Sequence, residues 1–476
     1  MKPDLRIREL MAVPTEAHDV AWLQQALQEA IKLELATLPP YLCGLYALKD
    51  GTSKAAKLIS GIVFDEMSHF GLSCNMAWAV GVQPRILTGY GEIQYPGPLP
   101  GGVRPKCDPT LRFPCDPHFE VKLGFDDFQS FVRMCMQIEY PEDPVPRPLL
   151  LLESIAETFP TIGEFYGAIL AAFEQNDAHI PYKDNETKQI TASFPNVFKV
   201  LSFGDARLAI GIIKSQGEGS PKDPFSDPEQ QTLSHFYTFG EVYFKRAYVF
   251  DAATQTGDWT GASVTVPDAF PMTPVPLGGY AGDVPSDVGV CDGLFAGMLS
   301  DLEAAWANGS EDSLGSAIGN MISLKGAILT LFGKQLPRPE GGIFGPQFRL
   351  GGNASVSQPA AGGEKLVMTP FEKVQLILDQ SIGGPAVNIG AHHAFWRGLT
   401  RDQFVIKPVF GLPLISLGHG ADSNLIKALK GQAPFGSDLN PPTPGANKRR
   451  MPAGLPPVAD PDIAFIEQWI NDGCPA

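Results

Sequence analysis

The sequence predicts a mainly α protein: a four-helix bundle with a long crossover and extra helices, followed by a small helical C-terminal domain. Three observations predict it. Two apolar-periodic stretches, residues 21–38 and 53–80, are joined by a short turn at Asp50-Gly51-Thr52, as in an antiparallel helical hairpin. Residues 82–120 then lose the period. They are rich in Gly and Pro, with short β-like pieces such as Gly91-Glu92-Ile93-Gln94-Tyr95, and have the makeup of a long crossover. Helical periodicity returns beyond residue 160 and recurs to the C-terminus.

The later elements follow in order. A helix over 160–174 opens with Thr161 and Glu164 at capping-box spacing. One over 206–215 stops at Gly217-Glu218-Gly219, a glycine-bracketed end. Another spans 229–250 and contains Ser234-His235-Phe236-Tyr237. Two more fall within 291–336, the first carrying Leu294, Met298, Leu302 and Trp306 on one face, and should pack on the bundle. The expected organisation is a bundle with crossover insert over 1–260, a helical extension over 261–350, a Gly/Ser/Ala-rich linker over 351–368 and a helical module over 369–476.

A chain of 476 residues can bury large cores in two or three domains. Its net charge of −16 and lack of Lys/Arg clusters argue against a nucleic-acid partner, whose phosphates need them. The first residues, Met1-Lys2-Pro3-Asp4, carry no apolar leader. No run reaches the length that spans a bilayer, so the expected location is cytoplasmic and off the membrane. Seven cysteines without framework spacing fit reduced thiols.

The chemistry centres on Glu66-Met67-Ser68-His69. Three residues is about one helical turn, so both side chains leave the same helix face. The preceding helix sets Glu34 into an apolar stripe of Leu27, Ala30, Ile31, Leu33, Leu35 and Leu38. A carboxylate there costs on the order of several kcal/mol unless paired or bound to metal. Counting donors that suit a dinuclear site gives Glu34, Glu66, His69, Glu164, Glu218 and His235, with Glu218 and His235 sharing the role of a second Glu-x-x-His pair. Oxygen-rich donors with two imidazoles suit two iron ions, or manganese, better than zinc. Glu139, Glu153, Glu157, Glu174 and Glu241 are reserve carboxylates. The aromatic residues near the ligands, Tyr41, Phe70, Phe165 and Tyr166, read mostly as core packing.

The segment Ala30-Ile31-Lys32-Leu33-Glu34-Leu35-Ala36-Thr37-Leu38-Pro39-Pro40-Tyr41-Leu42, then Asp65-Glu66-Met67-Ser68-His69, Thr161-Ile162-Gly163-Glu164-Phe165-Tyr166, Gln216-Gly217-Glu218-Gly219 and Ser234-His235-Phe236-Tyr237 stand in order. Together with Gly345-Pro346-Gln347-Phe348 they resemble the ferritin-like family named after iminophenyl-pyruvate dimer synthase, over roughly residues 15–350. The resemblance implies a ferritin-like bundle and metal site, and a place in secondary metabolism among enzymes that couple imines of aromatic 2-oxo acids. Asp65 departs from the glutamate common there, which should alter a contact behind the ligands. The C-terminal run Arg450-Met451-Pro452-Ala453-Gly454, the helix after it and Asp472-Gly473-Cys474-Pro475 resemble the second half of a cytochrome c domain. The segment Asn388-Ile389-Gly390-Ala391-His392 stands where the haem-attaching Cys-x-x-Cys-His would be and lacks both cysteines, so covalent haem is not expected. That module reads as a docking, lid or dimerisation element.

The functional expectation is a dinuclear non-haem metal oxidoreductase that uses dioxygen on a small substrate, amino-acid-derived or aromatic. Imine coupling and a non-enzymatic metal-binding scaffold are the alternatives. A homodimer or a pathway enzyme is the protein partner it leaves open.

Overall fold

The computed structural model describes residues 6–106, 108, 111, 113, 119–146, 160–191, 196–217, 222–227, 231–350, 370–382, 395–397, 399–409, 411–455 and 457–475. The chain divides into two compact units, Met1–Pro359 and Ala360–Ala476. The helices of the first are α1 (Arg6–Met11), α2 (Val20–Ala47), α3 (Lys54–Ala79), α4 (Leu87–Tyr90), α5 (Phe128–Ile138), α6 (Ile162–Asn176), α7 (Phe203–Gln216), α8 (His235–Phe244), α9 (Ser286–Asn308) and α10 (Glu311–Lys334). Among the described residues two short antiparallel ribbons accompany them, β1 (Phe225–Asp227) with β2 (Thr232–Leu233), and β3 (Val249–Asp251) with β4 (Thr256–Asp258).

The bundle has four columns, of which two are interrupted. Helices α2 and α3 form the continuous antiparallel pair. Helices α5 and α6 both pack on α2, and α7 and α8 both pack on α3, while α5 pairs with α8 and α6 with α7. The third and fourth columns are therefore each built from two half-length helices. The breaks, after Ile138 and after Gln216, matter for the site below.

Local chemistry explains the long helices. Asp19 accepts a hydrogen bond from Trp22 N at 2.8 Å and starts α2, and Ser53 accepts one from Ala56 N at 3.2 Å and starts α3. The apolar period suggests an end to α2 at Leu38, yet the helix runs on to Ala47 through Pro39 and Pro40. Pro40 has no N–H for the carbonyl of Ala36, and the Tyr95 hydroxyl donates to that oxygen instead, at 2.7 Å. The continuation places Tyr41 two turns beyond Glu34 on one helix face.

Two expectations need correction here. Helix α5 lies just beyond the expected crossover, where no helix is anticipated, started by Asp127 accepting from Ser130 N at 2.8 Å. Helix α8 is shorter than 229–250, because β2 precedes it and Lys245 takes a left-handed φ of 56° that ends it.

Residues 261–350 belong to the first unit, where α9 and α10 form a hairpin turned at Gly309, whose φ of 66° suits glycine. By length and composition α10 could cross a membrane, contrary to the sequence expectation that no run is long enough. It packs here against α9, with Leu314, Ala317, Leu324, Ile328, Leu331 and Phe332 buried.

The second unit contains α11 (Pro370–Gln380), α12 (Arg401–Val405), α13 (Asn424–Lys430) and α14 (Asp460–Asn471), with a two-stranded ribbon of β5 (Pro408–Val409) and β6 (Leu412–Pro413). Its core gathers Phe371, Trp396, Phe404, Ile466 and Trp469, and Met451 is buried in that cluster. The expected linker over 351–368 and the segment from Asn388 to His392 lie outside the described residues. Cys43, Cys74, Cys135, Cys291 and Cys474 are free thiols, all buried.

Candidate metal centre

Four of the six expected donors come together. Glu34 from α2, Glu66 and His69 from α3, and His235 from the first turn of α8 are all buried in the bundle interior. Glu139, the residue just past α5, joins them. The donor atoms form two groups, Glu34–Glu66–His69 and Glu66–Glu139–His235, within each of which all lie within 4.8 Å of one another. Glu66 is common to both, so the cluster is compatible with a dinuclear metal site.

Glu164 is a correction. It lies on the surface, where its carboxylate accepts from Thr161 N at 2.9 Å while Thr161 accepts from Glu164 N at 3.1 Å. This capping box starts α6 and engages the carboxylate that the sequence count gives to metal. Glu218 lies outside the described residues.

The interrupted columns explain where the ligands come from. Glu139 closes α5, Gln216 ends α7 and His235 opens α8, so the breaks in the third and fourth columns line the cluster. Among the described residues no single helix crosses the site on that side, so no Glu-x-x-His pair there supplies two donors.

Each imidazole is aimed by its far nitrogen. His69 Nε2 lies 2.9 Å from Gln216 Oε1, Gln216 Nε2 donates to Asp65 Oδ1 at 3.2 Å, and Asp65 Oδ2 lies 3.4 Å from His235 Nε2. The amide nitrogen can only donate and the carboxylate only accept, so both Nε2 atoms carry hydrogen. Both Nδ1 atoms then face the carboxylates: His69 Nδ1 is 3.6 Å from Glu66 Oε1 and 3.7 Å from Glu34 Oε2. His235 Nδ1 is 2.9 Å from the same Glu66 Oε1 and 3.6 Å from Glu139 Oε2. Asp65 thus works behind the ligands, tying the two histidines together through Gln216.

These donors fit a bound cation. His235 Nδ1 is buried without a hydrogen bond although a carboxylate oxygen faces it. Among the described residues no Lys or Arg pairs with Glu34, Glu66 or Glu139, so the concentrated negative charge has only imidazoles to answer it. Without metal, protons take the place of cations. Burial, and then the charge of Glu66, pushes the Glu34 carboxyl up to about 8. Burial would also raise Glu66, but the two imidazoles facing its Oε1 outweigh that and hold it well below the usual range. Burial favours neutral imidazoles, yet the carboxylates around them raise both histidines, His235 strongly.

A cavity of about 30 Å³ opens on the cluster, floored by Glu34, Glu66, His69 and Glu139 and walled by Leu33, Ile213 and Tyr166. Of its lining residues only Ile162 and Lys214 are not buried, which places its mouth at the start of α6 and the last turn of α7. The chain at Gly217 runs close by the cluster: a Cβ there would stand 3.1 Å from Ile213 O and 3.5 Å from Glu139 Oε2.

Residues 27–244 match a family model described as Ferritin-like, a span that holds α3 and α5–α8 and every donor of the cluster. The fold is mainly helical and ferritin-like. Among solved structures, a ferritin-like protein from Caulobacter vibrioides is similar, at 24% identity and a TM-score of 0.47, over 69% of this chain and 97% of that one. No curated protein matches the chain.

Proposed function

We propose that this protein is a dinuclear non-haem metal oxidoreductase, with two iron ions as its cofactor and manganese as the alternative, that uses dioxygen on a small substrate. The observation that carries the reading is the pair of donor groups sharing Glu66, each with a buried carboxylate of its own and an imidazole whose Nδ1 is turned inward. Glu34 and His69 would hold one ion, Glu139 and His235 the other, and Glu66 would lie between them. Redox-active ions held there would supply electrons for the reduction of dioxygen.

The protein's own part is binding, orientation and exclusion of water. The Asp65–Gln216 bridge fixes both imidazoles, the apolar wall of Leu33, Ile162 and Ile213 would limit access of bulk water, and a small substrate would approach through the cavity beside Lys214. The order of the sequence motifs favours a relationship to the iminophenyl-pyruvate dimer synthase type, which would make imino or 2-oxo acids the first substrates to try. We read the chain as a cytoplasmic protein and its C-terminal unit as a cytochrome c-like module without covalent haem, with Met451 in a packing role.

The test is oxygen uptake by protein loaded anaerobically with Fe²⁺. Uptake by the wild type that disappears in Glu66→Ala and His69→Ala supports the reading. Equal uptake by wild type and both variants defeats it.

A further inference from the structure

The two outer carboxylates of the cluster are held in the same way. In Glu34, Oε2 faces His69 Nδ1 while Oε1 accepts a hydrogen bond from the Tyr166 hydroxyl. In Glu139, Oε2 faces His235 Nδ1 while Oε1 accepts from the Tyr41 hydroxyl. The shared carboxylate follows suit, since Glu66 Oε1 faces both imidazoles and Oε2 accepts from Thr37 Oγ1 at 2.6 Å. Every carboxylate thus turns one oxygen inward and gives the other to a hydroxyl.

We propose that Tyr166 and Tyr41 are positioning residues that keep Glu34 and Glu139 each to a single inward oxygen, so that an ion in either half-site keeps a coordination position free on the cavity side. The inference rests on the dinuclear reading above. A carboxylate can chelate through both oxygens only if both can turn to the ion. Here that turn would strip a charged acceptor from a tyrosine that is 0% exposed (Tyr41) or 1% exposed (Tyr166), leaving a buried hydroxyl deprived of its carboxylate partner. Tyr41 stands where it does because α2 continues through Pro39 and Pro40, and Tyr166 because the capping box starts α6 one turn earlier. Both are held by packing as well: Tyr41 lies edge-on to Phe239, and the Tyr166 hydroxyl is 3.2 Å from Ser73 Oγ.

The experiment is anaerobic Co²⁺ titration of the full chain, wild type against Tyr166→Phe, Tyr41→Phe and the double variant, followed by visible absorption. Cobalt with four or five ligands absorbs severalfold more strongly than cobalt with six, so the band intensity reads the coordination number. The expected wild-type spectrum is intense. Each single variant should lose the intensity of one ion and the double variant that of both, with cobalt stoichiometry retained. Variant spectra that superimpose on the wild type, or variants that fold but take up no cobalt, overturn the proposal. The wild type also tests it without any variant. Full uptake with a weak six-coordinate spectrum overturns the clamp and leaves the dinuclear reading standing, whereas no uptake at all removes the dinuclear reading and the clamp with it.

Discussion

Metal uptake by this cluster should expel protons, and their number follows from the geometry. At pH 6 three groups of the cluster hold protons that a cation must displace: Glu34, pushed up to about 8 by burial and Glu66, and the two imidazoles, raised despite their burial by the carboxylates around them. Glu66 is already ionised and releases none. Filling both half-sites should therefore release about three protons, and the overall binding free energy should strengthen by about 4 kcal/mol per pH unit near pH 6. The metal-free fold should respond in the opposite sense. A raised folded-state pKa contributes stability that is complete below the unfolded value and lost as pH rises through the folded one. For Glu34 that window runs from 4.5 to about 8 and is worth at most about 5 kcal/mol. The histidines add in the same direction above 6.5. Glu66, whose pKa is lowered, contributes stability lost only below 4.5 and stays silent in this range. Calorimetric titration with Mn²⁺ at pH 6 in two buffers of different ionisation enthalpy counts the protons directly. Release of fewer than one proton, or a metal-free protein that gains stability between pH 5 and 8, would refute this account of the charge balance.

Other substitutions separate ligands from their surroundings. Glu164→Ala should lower unfolding free energy by about 1 kcal/mol through loss of the capping box and leave metal uptake unchanged, as urea titration and metal analysis would show. Gln216→Leu should weaken metal binding by roughly 10- to 100-fold, because it deprives His69 Nε2 of its acceptor and breaks the link to Asp65; a competition titration reads that loss. Gly240→Ala should destabilise the bundle by about 2 kcal/mol, because a Cβ would stand 2.2 Å from the Trp259 ring, with the unfolding midpoint as its measure.

The continuous half of the bundle was legible in the sequence and the interrupted half only partly so. Glu34, Glu66 and His69 lie on helices whose apolar period never breaks, so residue spacing could put them on inward faces. Glu139 has no such handle, since its helix ends just before it and no second ligand sits on α5. The signal for α5 itself is present, in Asp127 as a cap and Phe128, Phe131, Val132, Cys135 and Met136 at helical spacing. Glu164 misleads because an acidic residue before an apolar run serves equally as ligand or cap. Thr161 three residues earlier is what decides it. The partnership of Tyr41 with Glu139 was hidden by Pro39 and Pro40, which read locally as a helix stop and are outweighed by a hydroxyl from the crossover, that of Tyr95.

The central claim is that Glu66 joins two metal half-sites. The most direct measurement is iron per chain after anaerobic loading and removal of free metal, for the wild type and Glu66→Ala side by side. About two irons in the wild type and nearly none in the variant is the expected result. Equal iron in both, or none in the wild type, would contradict it.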